Sequence, residues 1–487
     1  MTYRPAPVPP GAVPAPAIEA RLEPDAIGVT QDVVIGTANA APAVAVALTL
    51  APLAATAAYG SGPVIIACGA PMLIIANSYR RLNLWKANCG ASFEWVGHAI
   101  SPYLGFLTGW LMIAGNLIGT TASTAVLGPS VLAVAGQNAA STWPDIAIST
   151  AVIVVMLVIA VAGIRITVRT QVGMAAVEYA ILAGFAIAGF WAVLGHHHGT
   201  YPVTKGWFSL SGIAGKGSLA AGPLLAVFMY TGWDATVYVN EEVTHRRVNP
   251  GRSAVFAAAF LVAIFTVATA GLQGVVSPAR FQAHSSSALV YVAQALGGSG
   301  WAKVMALALA LALALSVIAT TGVSIVILAR IMYAMASHRV LPAFVGKVSP
   351  RFKTPAVGSI LTGLTLITIL WAYLLSSSIA SAFTQLIDVT GILTAGFYIL
   401  TALATIVYYR HRVFSNAWDA QLAGILPFAA AAFLAWIVVR SLQAAPASQQ
   451  LSVAGTIAVG MVVMLVARSA LRSTFFQIPC DSASREP

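Results

Sequence analysis

Charge is what this sequence has least of. Only 8% of its 487 residues are Asp, Glu, Lys or Arg, against about 25% in a soluble globular protein. The 25 Lys and Arg and 14 Asp and Glu cannot cover the surface of a soluble chain of this length. That excludes a soluble enzyme, a nucleic-acid binder and a disordered chain. Cysteine is scarce too. Cys68, Cys89 and Cys480 are widely spaced, so neither a disulfide framework nor a Cys metal motif is expected. The apolar stretches hold almost no His, no HExxH pattern and no partner for Cys68, so an intramembrane enzyme would lack its nucleophile and base or metal triad. His196, His197 and His198 are adjacent and cannot all face one ion, so no metal is expected there. No phosphate-binding Gly-rich loop is present, and no cofactor is expected. A membrane sensor brings a soluble output domain, and the tails read as too short for one.

Hydrophobic residues are what is there: 59% of the chain, with a mean hydropathy of +0.86. Crossing about 30 Å of hydrocarbon takes about 20 helical residues. Twelve apolar segments are long enough, at about 29–54, 61–79, 101–136, 145–164, 172–194, 218–240, 253–276, 301–337, 355–376, 383–409, 420–440 and 450–467. The third and eighth are long and are expected to tilt or project. Residues 1–26 are rich in Pro and Ala, with no apolar core of a signal peptide ahead of Glu19, Glu23 and Asp25. They read as a disordered cytoplasmic tail, and 471–487 as a second tail, around one membrane-spanning domain at 27–470.

The basic residues test this layout. Of the 25, only Lys205, Lys216, Arg280, Lys303 and Arg440 fall on the outer side when the N-terminus is placed inside. The asymmetry supports twelve spans with both termini cytoplasmic. It also accounts for the pI of 9.8 without a nucleic-acid partner.

Two spans are interrupted. The first contains Gly36-Thr37-Ala38-Asn39-Ala40-Ala41-Pro42 and the sixth Tyr230-Thr231-Gly232-Trp233-Asp234. Either alone reads equally as a kink or packing notch. Five spans apart, they match two inverted repeats whose first helices are both broken. Unwound backbone at mid-membrane is tolerated only where it is buried or lines a cavity.

Longer motifs point the same way. Arg330-Ile331-Met332-Tyr333-Ala334-Met335-Ala336 is followed by Arg339-Val340-Leu341-Pro342, Val348-Ser349-Pro350-Arg351 and Thr354-Pro355. Gly232-Trp233-Asp234 precedes Glu241-Glu242, and Ser92-Phe93-Glu94-Trp95-Val96-Gly97 precedes Gly105-Phe106 and Gly109-Trp110. Over roughly 27–470 the chain resembles the amino acid–polyamine–organocation permeases. The resemblance implies an all-α polytopic membrane protein of twelve transmembrane helices with a leucine-transporter-like fold. Two inverted five-helix repeats, about 27–195 and 218–410, have helices 1 and 6 broken, and helices 11 and 12 follow at about 420–467. It further implies secondary active transport by alternating access in the cytoplasmic membrane. The substrate would be an amino acid first, and a polyamine or simple amine as the alternative. The Gly-x-Gly that the family often carries in the helix 1 break is absent here.

Candidate substrate-binding residues are those of the two breaks: Thr37, Ala38, Asn39, Ala40, Ala41, Tyr230, Thr231, Gly232, Trp233 and Asp234. The half-helix after the first break points its partial positive charge at the cavity. Thr37 and Asn39 offer side-chain polar groups, or alternatively cap the break locally. Phe228 matches the family's aromatic lid position, with ordinary core packing as the alternative. Asp234 and Glu178 are the deep acids, each costing about 2.5–3.5 kcal/mol in a spanning helix. Asp234 offers a counter-charge to an amine. Glu178 falls where some family members place a helix 5 Lys, and burial disfavours the charged form of a carboxyl there. Thr320 and Thr321, with Ser316 and Ser324, could complete a sodium site or simply bond their own helix. The expected coupling ion is a proton acting through Glu178 and Asp234; the alternatives are a sodium ion drawn by an ionised Glu178 with Thr320 and Thr321 contributing, and uncoupled exchange. Asp32, Glu241 and Glu242 read as solvated or Arg-paired charges near the interface, and Asp388 is open. The expected partners are the lipid bilayer, the coupling ion and a small-molecule amine or amino acid.

Overall fold

The computed structural model describes residues 21–57, 60–134, 142–195, 200–208, 221–276, 288–376, 379–413 and 416–480. Residues 1–20, the His196–His198 run, Lys216, Arg280 and the end of the C-terminal tail lie outside them. A chain in hydrocarbon must satisfy its backbone within itself, which leaves helices as the economical solution for so apolar a sequence. The described residues form almost nothing else. In order they are α1 Val29–Asn39, α2 Pro42–Ala57, α3 Ser61–Trp85, α4 Ser92–Ala99, α5 Pro102–Thr124, α6 Leu127–Val134, α7 Thr142–Ala162, α8 Ile164–Leu194, α9 Ala221–Met229, α10 Ala235–Tyr238, α11 Asn249–Gln273, α12 Ala288–Ser337, α13 Ala356–Ser376, α14 Ile379–Tyr409, α15 Leu426–Ala444 and α16 Ala447–Ser469.

Among the described residues, 10 helices are long and apolar enough to cross a membrane. Of the segments expected to cross, the first and sixth are not among these ten, each being split in two. The first is split into α1 and α2 at Ala40 and Ala41, where Ala41 takes a left-handed φ of 47°. Pro42 then opens α2, at a helix start where its missing N–H costs nothing. The sixth is split into α9 and α10, with Gly232 at φ 113° in the turn between them.

Helix pairings repeat in a way that follows from two related halves. The third span (α5) packs on the tenth (α14), and the fifth (α8) on the eighth (α12). Likewise α1 packs on the seventh span, α11, and the sixth, as α9, on the second, α3. Each pairing in one half has its counterpart in the other, as inverted repeats require. Small residues let the closest crossings form: a Cβ on Gly189 of α8 would collide with the carbonyl of Gly271 on α11. At the periphery α16 leaves Leu451, Val459, Val462 and Leu465 exposed, a surface suited to lipid.

The expected tails are partly built into the body. Leu22 is buried. The Ala26 and Ile27 amides donate to the Glu242 carbonyl at 2.7 and 3.1 Å, and the Thr244 amide donates to the Ile27 carbonyl at 3.0 Å. At the other end, a short 3-10 turn at Thr474–Gln477 buries Phe475.

Candidate functional site

The two helix breaks touch. A Cβ on Gly232 would lie 2.7 Å from the amide nitrogen of Ala40 and 2.7 Å from the carbonyl carbon of Asn39. Only a residue without a side chain fits there, at a φ that L residues rarely adopt. One turn earlier in α1, a Cβ on Gly36 would meet Thr236 Cγ2 at 2.7 Å and the Trp233 carbonyl at 2.8 Å. The glycines thus bring two unwound backbones into contact. Beside that contact lies a cavity of about 50 Å³, walled by α5, α12 and α14 as well as the breaks. A single water needs about 10–15 Å³ on this measure, so the space suits a few waters or a compact polar group.

Of the residues expected to bind substrate or ion, the cavity wall holds Asn39, Ala40, Ala41, Phe228, Thr231, Gly232, Asp234 and Thr320. Asp234 is 2% exposed and is held by two tyrosines. Tyr398 donates to its Oδ1 at 2.9 Å, and Tyr238 donates to Oδ2 in a short contact. Behind it Trp233 stacks on Tyr398 at 5.3 Å, and Tyr79 meets Trp233 edge-on at 5.0 Å. Phe228 lines the cavity and also packs against Ala122, Leu386 and Ile387, so lid and packing positions coincide.

Other expected residues lie off the cavity. Thr37 accepts from the Tyr179 hydroxyl at 2.6 Å and donates to the Val34 carbonyl, which binds it to its own helix and to α8. The Ala38 carbonyl accepts from Thr320 at 2.7 Å. Tyr230 is turned away, donating to the Ile65 carbonyl at 2.9 Å, and Trp233 is fully buried behind Asp234. Thr321 donates to the Val317 carbonyl at 2.8 Å and lies 3.2 Å from Thr124. Glu178 is fully buried on α8. Its Oε1 accepts from the Ala43 amide at 2.8 Å, in the first turn of α2. Its Oε2 has no hydrogen-bond partner, and Ser316 is the neighbouring hydroxyl.

Asp32 departs from the reading as a solvated or Arg-paired charge, whereas Glu242 fits the Arg-paired form of it. Both are fully buried. The Arg330 guanidinium grips Glu242 through two nitrogens, with Nη2 at 2.8 Å from Oε1. Asp32 has no hydrogen-bond partner on either oxygen. Asp388 is bound by Gln449 at 2.9 Å, near the end of the bundle.

Sequence reasoning missed the far wall. Asn116, Thr120 and Ser123 come from α5, and Thr390 and Thr394 from α14. Thr120 donates to Ser324 at 2.6 Å, Ser324 donates to Asn39 Oδ1 at 3.2 Å, and Asn39 Nδ2 points to the Gly232 carbonyl at 3.5 Å. This chain of polar groups ties the two breaks to α5 and α12. The signal was available: Asn116 and Thr120, like Thr390 and Thr394, are one turn apart and so share a face of an otherwise apolar helix.

The amino acid permease family profile matches residues 25–466. The chain belongs to the amino acid permease family. It is a multi-pass membrane transporter, not an enzyme. Among solved structures it is similar to that of MhsT in complex with L-phenylalanine, with a TM-score of 0.61 at 12% identity, covering 85% of this chain and 99% of that one. That likeness shows the leucine-transporter-like fold, in which broken first and sixth helices face each other. A search of curated proteins gives no match.

Proposed function

We propose that this permease carries an amino acid or a related small amine across the cytoplasmic membrane by alternating access, with both termini cytoplasmic and protons driving uptake. The cavity at the contact of the two breaks carries this reading. It joins an acid, Asp234, to exposed backbone at mid-membrane, next to hydroxyls and an amide. Each Asp234 oxygen already accepts one tyrosine hydroxyl and keeps a further lone pair for a substrate amine. Phe228, also in the cavity wall, can cover the amine with its ring. The family to which the chain belongs and the L-phenylalanine-bound neighbour support the amino acid as first choice.

Proton drive is favoured over sodium by Glu178, a buried acid with one oxygen unbonded. A second reading, transport of a polyamine or simple amine, is supported by the same residue. Glu178 already occupies the Ala43 amide at the positive end of α2, where a substrate carboxylate would otherwise dock.

Purified protein in liposomes tests both. Labelled amino acids, with putrescine and ethanolamine as competitors, should accumulate under an inside-alkaline gradient with no sodium present. One pH unit is worth about 1.4 kcal/mol per proton, or up to about tenfold accumulation. Competition by the amines alone would select the second reading. Accumulation that requires a sodium gradient and ignores pH would overturn proton drive.

A further inference from the structure

The polar side chains around the cavity divide by what holds them. Thr231 donates to the Phe228 carbonyl at 2.8 Å, Thr320 to the Ala38 carbonyl at 2.7 Å and Thr390 to the Leu386 carbonyl at 2.8 Å. Thr120, Ser324 and Asn39 are linked in the chain that ends at the Gly232 carbonyl. Asn116 of α5 and Thr394 of α14 keep hydrogen-bonding capacity in the cavity wall. Asn116 gives its Nδ2 to the Met112 carbonyl at 2.9 Å, so its Oδ1 is a free acceptor. Thr390, Thr401 and Thr405 of α14 each donate to the carbonyl four residues back, the usual use of a threonine in a helix. The Thr394 hydroxyl makes no hydrogen bond among the described residues.

These two groups belong to one level of the cavity. Asn116 follows Gly115, and a Cβ on Gly115 would lie 3.5 Å from Thr394 Oγ1. Thr394 is one helical turn from Tyr398, which holds Asp234. The neutral pair and the acid are thus neighbours along α14, within the span of a compact molecule. Ser123, also in the wall, is seven residues from Asn116, about 10 Å along α5, so one substrate group cannot meet both.

A substrate that fills about 50 Å³ expels the water that would otherwise serve Asn116 and Thr394. An alkyl side chain then leaves an acceptor and a hydroxyl buried without partners, and binds weakly for that reason. A second ammonium finds acceptors. Among the described residues lining the cavity, however, Asp234 is the one acid, and a charge buried without a counter-charge costs more than a neutral group. A side-chain carboxylate meets no cation in that wall. A hydroxyl suits both groups at once, donating to Asn116 Oδ1 and accepting from Thr394, and a carboxamide does so through its two ends. We propose that Asn116 and Thr394 form the side-chain subsite of this carrier and restrict it to compact substrates with a neutral hydroxyl or carboxamide, of the serine, threonine and asparagine kind. The proposal rests on the reading of the cavity as the site that holds the substrate amine.

Thermal unfolding of the purified carrier in detergent, titrated with single compounds, tests the assignment. Threonine and valine share a shape, as asparagine and leucine nearly do, and the pairs differ in the polar group. In wild type, threonine and asparagine should stabilise at concentrations at least about tenfold lower than valine and leucine. Asn116→Leu and Thr394→Val should each narrow that gap several-fold. Alanine, whose methyl is too short to displace the water at either group, should stabilise both variants as it does wild type. A merely structural role would weaken alanine and threonine alike. Equal stabilisation by threonine and valine in wild type would overturn the subsite and leave the amine site standing, and so would a gap that both folded variants keep. Tighter binding of putrescine than of ethanolamine would also overturn it, because the wall would then be taking a charge. No stabilisation by any amino acid or amine would remove the amine site along with it. Should Asn116→Leu not fold, Thr394→Val decides, since it exchanges a hydroxyl for a methyl at nearly constant shape.

Discussion

Gly232 is the residue on which the contact between the two breaks depends. Its φ of 113° is outside the range of residues with a side chain, and a Cβ would stand 2.7 Å from two backbone atoms of Asn39 and Ala40. Backbone cannot yield as a flexible side chain can. Strain of about 1–3 kcal/mol for the dihedral adds to an overpacking cost of similar size. Gly232→Ala is therefore expected to lower the unfolding temperature in detergent and to weaken substrate binding by at least about tenfold, because it pushes the Asn39–Ala40 wall of the cavity aside. A variant that binds and melts as wild type would show that the breaks can separate freely. The Gly-Trp-Asp motif was legible in the sequence because glycine and an acid in an apolar run have few other uses. The tyrosines that hold the acid were not. Tyr238 is four residues from Asp234, but Tyr398 is 164 residues away, and no pattern in an apolar helix marks a phenol that will meet a distant carboxylate. The same holds for Tyr230 and Trp233, whose place in the break suggested the cavity. The turn rotates them to its back, against Ile65 and Tyr79.

Among the elements, α2 shows how a broken helix is kept in place. A helix start leaves amides without partners, and in hydrocarbon no water can take them. Pro42 removes one of these donors and Glu178 satisfies the next, that of Ala43, at 2.8 Å. The helix end attracts a negative group, so the carboxylate also suits its field. Glu178 thus has a part in the fold besides any part in coupling, and two substitutions separate them. Glu178→Gln keeps an acceptor for the Ala43 amide, so its unfolding temperature should stay close to wild type while proton-driven accumulation is lost. Glu178→Ala leaves a buried amide unpaired and should cost about 1–3 kcal/mol of stability. Equal melting of the Gln and Ala variants would show that the cap contributes nothing. Hydropathy marked every long helix, because length and apolarity are local properties. It could not mark α4, a buried eight-residue helix that carries Glu94 and His98 in its sequence. Nor could it mark where each break falls, which depends on Gly36 and Gly232 meeting the opposite chain.

At the scale of the whole molecule, the end of the bundle that carries α4 is held by contacts among segments far apart in the chain. Glu94 of α4 is their centre. Lys86, at the end of α3, lies 3.3 Å from it, His98 3.5 Å, and His338, at the end of α12, is in close contact. Lys86 Nζ stands 2.7 Å from His98 Nε2 and the His98 Nδ1 2.8 Å from the Glu94 carbonyl, which sets His98 as a neutral ring donating through Nδ1. Burial and the Lys86 charge hold its pKa down accordingly. The C-terminal segment seals this cluster. Phe475 stacks on Phe93 at 4.5 Å, fills the space left by Gly97, and Ser473 donates to the His338 carbonyl at 2.6 Å. Polar composition had suggested a loose tail from residue 471. The two phenylalanines at 475 and 476 were the contrary signal within it. Burial by itself would raise the Glu94 carboxyl, but His338 above all, then Lys86, outweigh it and pull it from 4.5 to about 2. The folded value lies below the unfolded one, so ionised Glu94 stabilises the fold above about pH 4.5. That contribution, on the order of 3 kcal/mol for a carboxyl this buried, is lost as the pH falls through the window down to about 2. Glu94→Gln removes the charge at every pH. It should melt well below wild type at neutral pH, and the gap should close on acidification, so that the two unfolding curves converge near pH 2 to 3. Unfolding midpoints measured in detergent across that range check it, and a gap that stays constant with pH would mean that the amide disrupts packing and that the ion pairs of Glu94 contribute nothing.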